Sequence, residues 1–305
     1  MNSNAYKGVA MASLVNTDFL PNAKMSSPKP AAAEAAGMSA RPGPDQAHSV
    51  PHPHSLALTH LSAQTELQEV AVALCINGIC QAVMMVSPND LEAFAVGFCI
   101  SEGFITGTHD ILSIDCEAQP LGWQVDLTVL ASCEYQLKDR KRLMAGPSGC
   151  GLCGIDSLEA AMNQDSLVKR ETTSGVMAPS FDTIECAKHT LGALQKQYRY
   201  ARGHHSAALF SHHHGAEALV ISEDVGRHSA LDKLIGKASL EQQPLNTGFA
   251  MLTSRCSHDL VIKCARAGIA CLVTLAPPTN LAVQSAAQSG VLLFCFQQSE
   301  LKRFA

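Results

Sequence analysis

The sequence predicts an α/β protein in which a three-layer αβα C-terminal domain follows a smaller N-terminal α+β domain. From Gly248 onward, apolar stretches of strand length alternate with longer stretches of helical periodicity, a pattern typical of parallel strands buried on both faces. Before that, β-rich stretches surround one helical pattern between residues 70 and 130. Hydrophobic residues make up 47% of the chain and charged residues 16%, which indicates a globular core.

Residues 1–64 are predicted to be a disordered, Pro/Ala-rich extension. Seven of the 14 prolines fall within residues 1–53, among alanines and serines without hydrophobic periodicity. The start MNSNAYKGVA has no charged segment leading into an apolar one, so no secretory signal is predicted and a reducing compartment is expected. The small domain is then predicted to span residues 65–145, and the αβα domain residues 146–305.

The small domain is predicted to contain a hairpin, a helix and two further strands. Asn77 and Gly78 lie between two β-rich runs, and because both tolerate positive φ they predict a tight turn. In the following SPND, Ser87 is the predicted N-cap and Pro88 the first helical residue. The helix in LEAFAVGFCISEG is expected to end at Gly103, and ILSIDCEA and WQVDLTVL are expected to complete a small sheet.

The αβα domain is predicted to begin at a CxxC loop, and IDSLEAAMN after the loop has the pattern of a helix. A helix is then expected in SFDTIECAKHTLGALQKQYR, followed by two short strands, SAALFS and AEALVIS. The histidines at 212–214 are interpreted as a polar turn between these strands. Strands GFAMLTS, IACLVTLA and VLLFCF then alternate with helices SHDLVIKCARAG and TNLAVQSAAQSG.

Charge and hydropathy exclude two classes of partner. The net charge of -5 and the isoelectric point near 6.2 argue against nucleic-acid binding, which usually requires a basic surface. No apolar run approaches the roughly 18 residues of a membrane span, so no membrane partner is expected. Most of the 12 cysteines lie in apolar runs, where a free thiol packs as a small hydrophobic group.

The stretch GCGLCG is the clearest chemical motif, with Cys150 and Cys153 two residues apart. Such a pair can form a structural disulfide, bind zinc, exchange disulfides or carry sulfur as a persulfide. A disulfide here would close a very short loop and needs an oxidising compartment. A structural zinc site needs a second ligand pair, which is missing, so no bound metal is expected. A zinc deaminase is excluded because His205-Ser206-Ala207 lacks the required glutamate and follows the cysteines.

Disulfide exchange and sulfur carriage both remain open from the motif itself. Glycines on both sides predict a sterically open loop, and a helix beginning in IDSLEAAMN would favour the thiolate. A thioredoxin-like enzyme would place the pair near the start of the chain, after the first strand of a compact βαβ unit. The motif alone does not separate the two functions further.

The wider sequence closely resembles the formate dehydrogenase accessory sulfurtransferase family, FdhD/NarQ. The resemblance rests on EDVGRHSALDKLIG, GCGLCG, VMMVSPNDLEAFAVGFCISEG and LTSRCSHDLVIKCARAGI, and it runs from about Glu69 to the C-terminus. Three stretches depart from the family pattern: FQQSEL near the C-terminus, ARGHHSAAL with Arg202 in place of a glycine, and Ser229 where the family has asparagine.

The resemblance implies a cytoplasmic homodimer with a cytidine-deaminase-like αβα domain. It implies a sulfurtransferase that takes sulfur from a cysteine desulfurase and passes it to the bis-molybdopterin guanine dinucleotide cofactor, as formate dehydrogenase activity requires. By position, Cys150 is the persulfide carrier and Cys153 its partner. The alternatives are a thiol-disulfide oxidoreductase and a non-catalytic chaperone that binds the molybdenum cofactor.

Candidate cofactor-binding residues fall in two groups. The cationic or donor groups of the first are expected to hold the anionic cofactor, and Gly226 would let the backbone approach a phosphate beside a helix N-terminus. This group consists of His205, Gly226, Arg227, His228, Lys233 and Arg255. The alternative interpretation is a buried polar network with Asp224, Asp232 and Asp259. The second group is implied by the resemblance and consists of Phe296, Gln297, Gln298, Ser299, Glu300 and Leu301.

Overall fold

A computed structural model gives the structure of this protein and describes residues 67–133, 178–197, 203–211, 217–298 and 300–305. These described residues belong to one compact unit. The predicted extension, the CxxC loop, the helix after it and the turn at 212–214 lie outside the described residues. The predicted domain boundary between residues 145 and 146 lies outside them too and stays a prediction.

Four strands form the first sheet, in the order β2-β1-β4-β3. They are β1 (Val70–Ile76), β2 (Ile79–Val86), β3 (Ile111–Gln119) and β4 (Gly122–Val129). The predicted hairpin is confirmed, because β1 and β2 pair in antiparallel register around Asn77 and Gly78, with φ of 47° and 72°. The Asn77 side chain also accepts a hydrogen bond from the backbone N–H of Val129 at 2.8 Å. This bond fixes the turn against β4.

Helix α1 (Leu91–Ser101) follows the hairpin, and ten of its residues are buried, all but Glu92. The predicted end at Gly103 is confirmed, since this glycine has φ of 72° and its N–H donates to the carbonyl of Ile100. The predicted N-cap at Ser87 is wrong, because the capping position is Asp90 in a left-handed conformation. Ser87 forms tertiary hydrogen bonds instead.

Six strands form the second sheet, in the order β10-β9-β8-β7-β5-β6. They are β5 (His205–Ser211), β6 (Ala218–Asp224), β7 (Gly248–Arg255), β8 (Cys271–Ala276), β9 (Leu292–Gln297) and β10 (Glu300–Arg303). The prediction of parallel strands from Gly248 onward is confirmed for β7, β8 and β9. Strand β10 was not predicted and pairs with β9 in antiparallel register.

Helices pack on both faces of the second sheet. They are α2 (Phe181–Gln197), α3 (Arg227–Leu240), α4 (His258–Arg266) and α5 (Asn280–Ser289). Ile184, Ala187 and Leu191 of α2, at helical spacing, share one core with Phe210 and Phe249 of the sheet. Buried residues of α1, α3, α4 and α5 belong to a second core with the opposite sheet face and the first sheet. The predicted α/β class is confirmed; the likeness to cytidine deaminases stays a prediction.

Helices α1 and α3 cross at two glycines that allow unusually close contact. A Cβ atom on Gly97 would lie 1.7 Å from the backbone oxygen of Asp232, and one on Gly236 would lie 1.8 Å from that of Ala93. Only glycine fits at either position, so the small sheet and its helix are held tightly against α3. Across the described part of the chain, the helices are too short or too polar to span a membrane.

Candidate functional site

The ends of four parallel strands meet at one edge of the six-stranded sheet. Strand β5 is antiparallel to both β6 and β7, and β7, β8 and β9 are parallel, so β6 to β9 all point the same way. Helices α3, α4 and α5 follow β6, β7 and β8 and therefore start at this edge. We call it the carboxyl edge, marked by the last residues of these strands: Asp224, Arg255, Ala276 and Gln297. Ligands of α/β sheets bind outside such edges, where helix N-termini attract anions.

The turn from β6 into α3 brings several predicted site residues to the carboxyl edge. Gly226 is the N-cap of α3, and Arg227 and His228 are its first two residues. The Gly226 N–H donates to Asp224 Oδ1 at 2.7 Å. A Cβ on Gly226 would lie 3.1 Å from the Ser229 hydroxyl, which is tighter than ordinary contact. The turn is therefore compact, and its approach to a phosphate stays a prediction.

The two predicted histidines, His205 and His228, are neutral at pH 7. His205 begins β5 and lies opposite Asp224 of β6. Its pKa is lowered, first by burial and then by the positive charge of Arg227. Burial, followed by the charges of Lys263 and Arg227, lowers the pKa of His228 to about 3. Both imidazoles can therefore donate or accept hydrogen bonds but add no positive charge.

The ring of His228 lies between α3 and α4. Its Nε2 is 3.5 Å from the Ser257 hydroxyl and 3.8 Å from Asp259 Oδ2. Burial raises the pKa of the Asp259 carboxyl. Asp259 was predicted to belong to a buried polar network, and His228 was predicted to bind the cofactor. Because the two side chains are in contact, both interpretations apply to this part of the site.

Lys233 lies in the buried polar network that was the alternative interpretation. Its ammonium is 2.7 Å from Asp224 Oδ2, and both side chains are 0% exposed. It also donates to the Ser87 carbonyl at 2.9 Å and the Asn89 side chain at 3.4 Å. Asp224 Oδ2 in turn accepts from the Ser87 N–H. These contacts tie Lys233 of α3 to the end of β6 and to the segment after β2. A direct contact between Lys233 and the cofactor stays a prediction.

The two arginines are the accessible cations of the predicted set. Arg255 ends β7 and is exposed, and Arg227 is half-buried at the start of α3. Each is long enough to reach an anion held above the edge. Because both histidines are neutral and Lys233 is enclosed, these guanidinium groups supply the positive charge of the predicted set.

The predicted C-terminal group lies where β9 ends and β10 begins, at the same edge. Phe296 is buried, with the Lys188 ammonium 4.1 Å from its ring centroid, and it pairs with Leu301. Gln297 is half-buried, whereas Gln298 and Glu300 are exposed, and Gln298 has a φ of 49°. Ser299 lies outside the described residues.

Strands β5 and β9 are three positions apart in the sheet, which is about 14 Å at about 4.8 Å per strand. The structure therefore places the two predicted groups along one edge of the sheet.

A second buried ionic cluster contains Asp232, which was assigned to the polar network, and three residues that were not predicted: Lys263, Glu102 and Ser101. The Lys263 ammonium on α4 is 2.9 Å from Asp232 Oδ1, 2.9 Å from Glu102 Oε1 and 2.9 Å from the Ser101 hydroxyl. Burial opposes the charge on Lys263, but Asp232 and Glu102 raise its pKa overall. The sequence signal for this cluster is Lys263 itself, a charged residue within the otherwise apolar helical pattern of SHDLVIKCARAG. The cluster joins α1, α3 and α4 beneath His228.

Cys150 and Cys153 lie outside the described residues, so their placement relative to the edge stays a prediction. No group of three or more His, Cys, Asp or Glu side chains within the described ranges is arranged to hold a metal ion. The site thus consists of a mixed α/β scaffold with an arginine-bearing carboxyl edge.

The two sheets and this edge define a mixed α/β protein, and comparison with known proteins identifies its family. A model of the FdhD/NarQ family matches residues 67–304, and the chain belongs to that family. The resemblance inferred from the sequence motifs is thereby confirmed.

Three curated relatives bear the name sulfur carrier protein FdhD. The protein from Burkholderia mallei (strain ATCC 23344) is 41% identical over 235 residues, which cover 75% of this chain and 84% of the relative. That of Burkholderia cenocepacia is 42% identical over 234 residues, 75% and 82% of the two chains. That of Chromobacterium violaceum is 40% identical over 249 residues, 79% and 91% of the two chains.

A solved structure with a similar fold comes from another bacterial protein of this kind of architecture. The crystal structure of a formate dehydrogenase accessory protein from Desulfotalea psychrophila aligns with a TM-score of 0.54 at 22% identity. The alignment covers 78% of this chain and 86% of that chain. At this identity the likeness concerns the fold alone.

Proposed function

We propose that this protein is a sulfurtransferase that carries sulfur as a persulfide on Cys150. The observation that carries the proposal is the GCGLCG pair in a chain whose relatives at about 40% identity are named sulfur carrier proteins. The sulfur donor is a cysteine desulfurase, and the acceptor is the bis-molybdopterin guanine dinucleotide cofactor destined for formate dehydrogenase. We place this activity in the cytoplasm and in a homodimer.

The first step is a transfer between two sulfur atoms. The Cys150 thiolate attacks the terminal sulfur of the desulfurase persulfide, and the S–S bond of that persulfide breaks. The desulfurase leaves as a thiolate, and Cys150 then holds the persulfide. The thiolate fraction and the access to the sulfur control the rate, and the glycines beside Cys150 favour access.

Delivery requires the carried sulfur to be reduced to the level of sulfide. The Cys153 thiolate attacks the inner sulfur of Cys150, so the outer sulfur leaves as sulfide for the acceptor. A Cys150–Cys153 disulfide remains, and a cellular dithiol reduces it before the next cycle. This role makes Cys153 necessary for turnover but not for loading.

The acceptor carries phosphate groups, for which the carboxyl edge provides suitable chemistry. Arg227 and Arg255 are guanidinium groups that match phosphate geometry, and the α3 N-terminus adds its dipole. The neutral imidazoles of His205 and His228 can hydrogen-bond to phosphate or to a base without adding charge. The turn after β9 lies about 14 Å from β5 along the edge, which suits a long acceptor with two ends.

Mass spectrometry after incubation with a cysteine desulfurase and free cysteine tests the proposal. We expect one added sulfur atom on the peptide that contains Cys150, absent in Cys150→Ala and retained in Cys153→Ala. Cys186→Ala is the matched control, because Cys186 is an exposed thiol on another element, α2. A Cys150–Cys153 disulfide without added sulfur would indicate thiol-disulfide exchange instead.

A second measurement separates sulfur transfer from a chaperone role. A chaperone that only binds the cofactor would bind a guanine nucleotide and support formate dehydrogenase equally well with Cys150→Ala. The proposed function predicts that this variant keeps nucleotide affinity but no longer activates the dehydrogenase. Full activation by Cys150→Ala would contradict it.

A further inference from the structure

Two cysteines outside the CxxC motif face each other across the N-terminal hairpin. Cys75 of β1 is the register partner of Cys80 of β2, one position from the pair that closes the turn. Directly opposed residues of antiparallel strands have Cα atoms about 4.5–5.5 Å apart, and a disulfide needs about 4.4–6.8 Å. Register partners of this kind therefore lie in the spacing range of a disulfide, here next to a register shift between Leu74 and Cys75.

The two thiols also interact. Burial, then the negative charge that Cys80 and Asp126 can carry, raises the pKa of Cys75 to about 12. The Cys80 thiol itself donates a long hydrogen bond to the Ala82 carbonyl at 3.7 Å. Cys80 is exposed, while Cys75 is 7% exposed. A small reagent can therefore reach the Cys80 thiol, whereas the Cys75 thiol is covered.

The pair is remote from the carboxyl edge. Ser87, just beyond the last residue of β2, is bound to Asp224 at that edge. Cys80 is seven residues earlier in an extended strand, which is about 23 Å at about 3.3 Å per residue. The anion chemistry proposed for the carboxyl edge thus has no need of these thiols.

We propose that Cys75 and Cys80 form a reversible redox modification site whose co-substrate is a low-molecular-weight disulfide. The Cys80 thiolate attacks one sulfur of the small disulfide, whose S–S bond breaks and releases one small thiol. The Cys75 thiol then gives its proton to the small thiolate released in the first step, and its sulfur attacks the Cys80 sulfur and displaces the second small thiol. Two protein thiols are oxidised to one disulfide, and one small disulfide is reduced to two thiols.

The geometry favours this chemistry over a metal site. Asp126 of β4 is the register partner of Cys75 on its other side and belongs to the same row across the sheet. Its side chain is bound by the Gln124 amide at 2.7 Å. In the described ranges no three candidate ligands converge for metal binding, and these residues are no exception. The dithiol is therefore the reactive unit.

Peptide mapping of the full chain after exposure to oxidised glutathione tests the proposal. Cleavage after glutamate releases residues 70–92, in which Cys75 and Cys80 are the only cysteines. After quenching with N-ethylmaleimide, we expect this peptide to have lost two hydrogens and to carry no alkyl group. Dithiothreitol should restore double alkylation.

The matched variants identify each step. Cys75→Ser should stop at a glutathione adduct on Cys80, and Cys80→Ser should leave the covered Cys75 with its thiol. The exposed Cys186 of the wild-type protein shows that the reagent is active, by forming its own adduct. A wild-type peptide with a glutathione adduct on Cys80, or one that is unreacted while Cys186 is modified, would overturn the proposal. Neither outcome affects persulfide formation at Cys150, so the two proposals fail independently.

Discussion

Replacing Lys233 by methionine distinguishes a structural lysine from a cofactor ligand. In the folded protein its ammonium pairs with Asp224 at 2.7 Å, and both side chains are fully buried. Methionine keeps most of the volume and removes the charge. Asp224 would then remain as a buried carboxylate without its ion-pair partner, and the Ser87 carbonyl would lose a donor at 2.9 Å.

The expected loss of stability is large. Removing one partner of a buried ion pair costs about 3–5 kcal/mol, because the other charge stays buried and unpaired. At a few degrees per kcal/mol, the melting temperature should fall by roughly 10 °C. Urea unfolding and thermal denaturation, both followed by circular dichroism, measure the change.

Two further variants control this experiment. Lys302→Met removes an exposed lysine from β10 and should change stability by less than about 0.5 kcal/mol. Adding Asp224→Asn to Lys233→Met removes the unpaired charge and should recover about 1 kcal/mol or more. If Lys233→Met unfolds like the wild type but loses nucleotide affinity, then Lys233 is a ligand contact and the argument from burial is refuted.

The remaining predictions concern packing, protonation and charge. Gly97→Ala should cost about 3 kcal/mol or more in urea unfolding, because its Cβ would lie 1.7 Å from a backbone oxygen of α3. Gly192→Ala, in open space on α2, should instead gain about 0.5–1 kcal/mol, and equal effects would refute the close crossing. Because the pKa of His228 falls from 6.5 to about 3 on folding, the unfolded chain takes up a proton first. Stability should therefore fall as pH drops from 6.5 toward 3, by up to about 1.4 kcal/mol per pH unit, and an unchanged slope in His228→Gln would contradict this. Arg255→Gln should weaken guanine-nucleotide binding about tenfold in calorimetry, whereas Lys302→Gln should not; equal affinities would remove Arg255 from the site.

Most of the fold follows from local signals in the sequence. The turn residues Asn77 and Gly78 adopt the positive φ that predicted the hairpin, and Gly103 ends α1 as expected. Strand β10 was missed because Glu300–Arg303 is short and largely charged, and only its pairing with β9 makes it a strand. Ser87 resembles an N-cap locally, but its N–H and hydroxyl bond to residues 137 and 138 positions away. No local pattern contains such partners.

The sequence indicated candidate site residues, and their role in binding stays a prediction. The motif DVGRH correctly placed Arg227 and His228 at a helix start, where an anion would be favoured. Sequence alone could not tell which basic groups are accessible, since burial depends on tertiary packing. Lys233 is enclosed and Arg255 exposed, yet both were equal candidates. The CxxC motif remains the strongest indication of chemistry, and it lies outside the described residues.

The packing between the small sheet and α3 implies that the carboxyl edge depends on the N-terminal part of the chain. Ser87 binds Asp224 through its N–H and Val225 through its hydroxyl, so the segment after β2 holds both residues that precede Gly226. The glycine crossing then fixes α1 against the same helix. Because close-packed elements move as units, the direction of the α3 N-terminus cannot change without a shift of α1. An anion bound at Arg227 would therefore be held by a turn whose orientation is set by the first sheet. This explains why Ser87 is buried and hydrogen-bonds to the β6–α3 turn instead of capping its own helix.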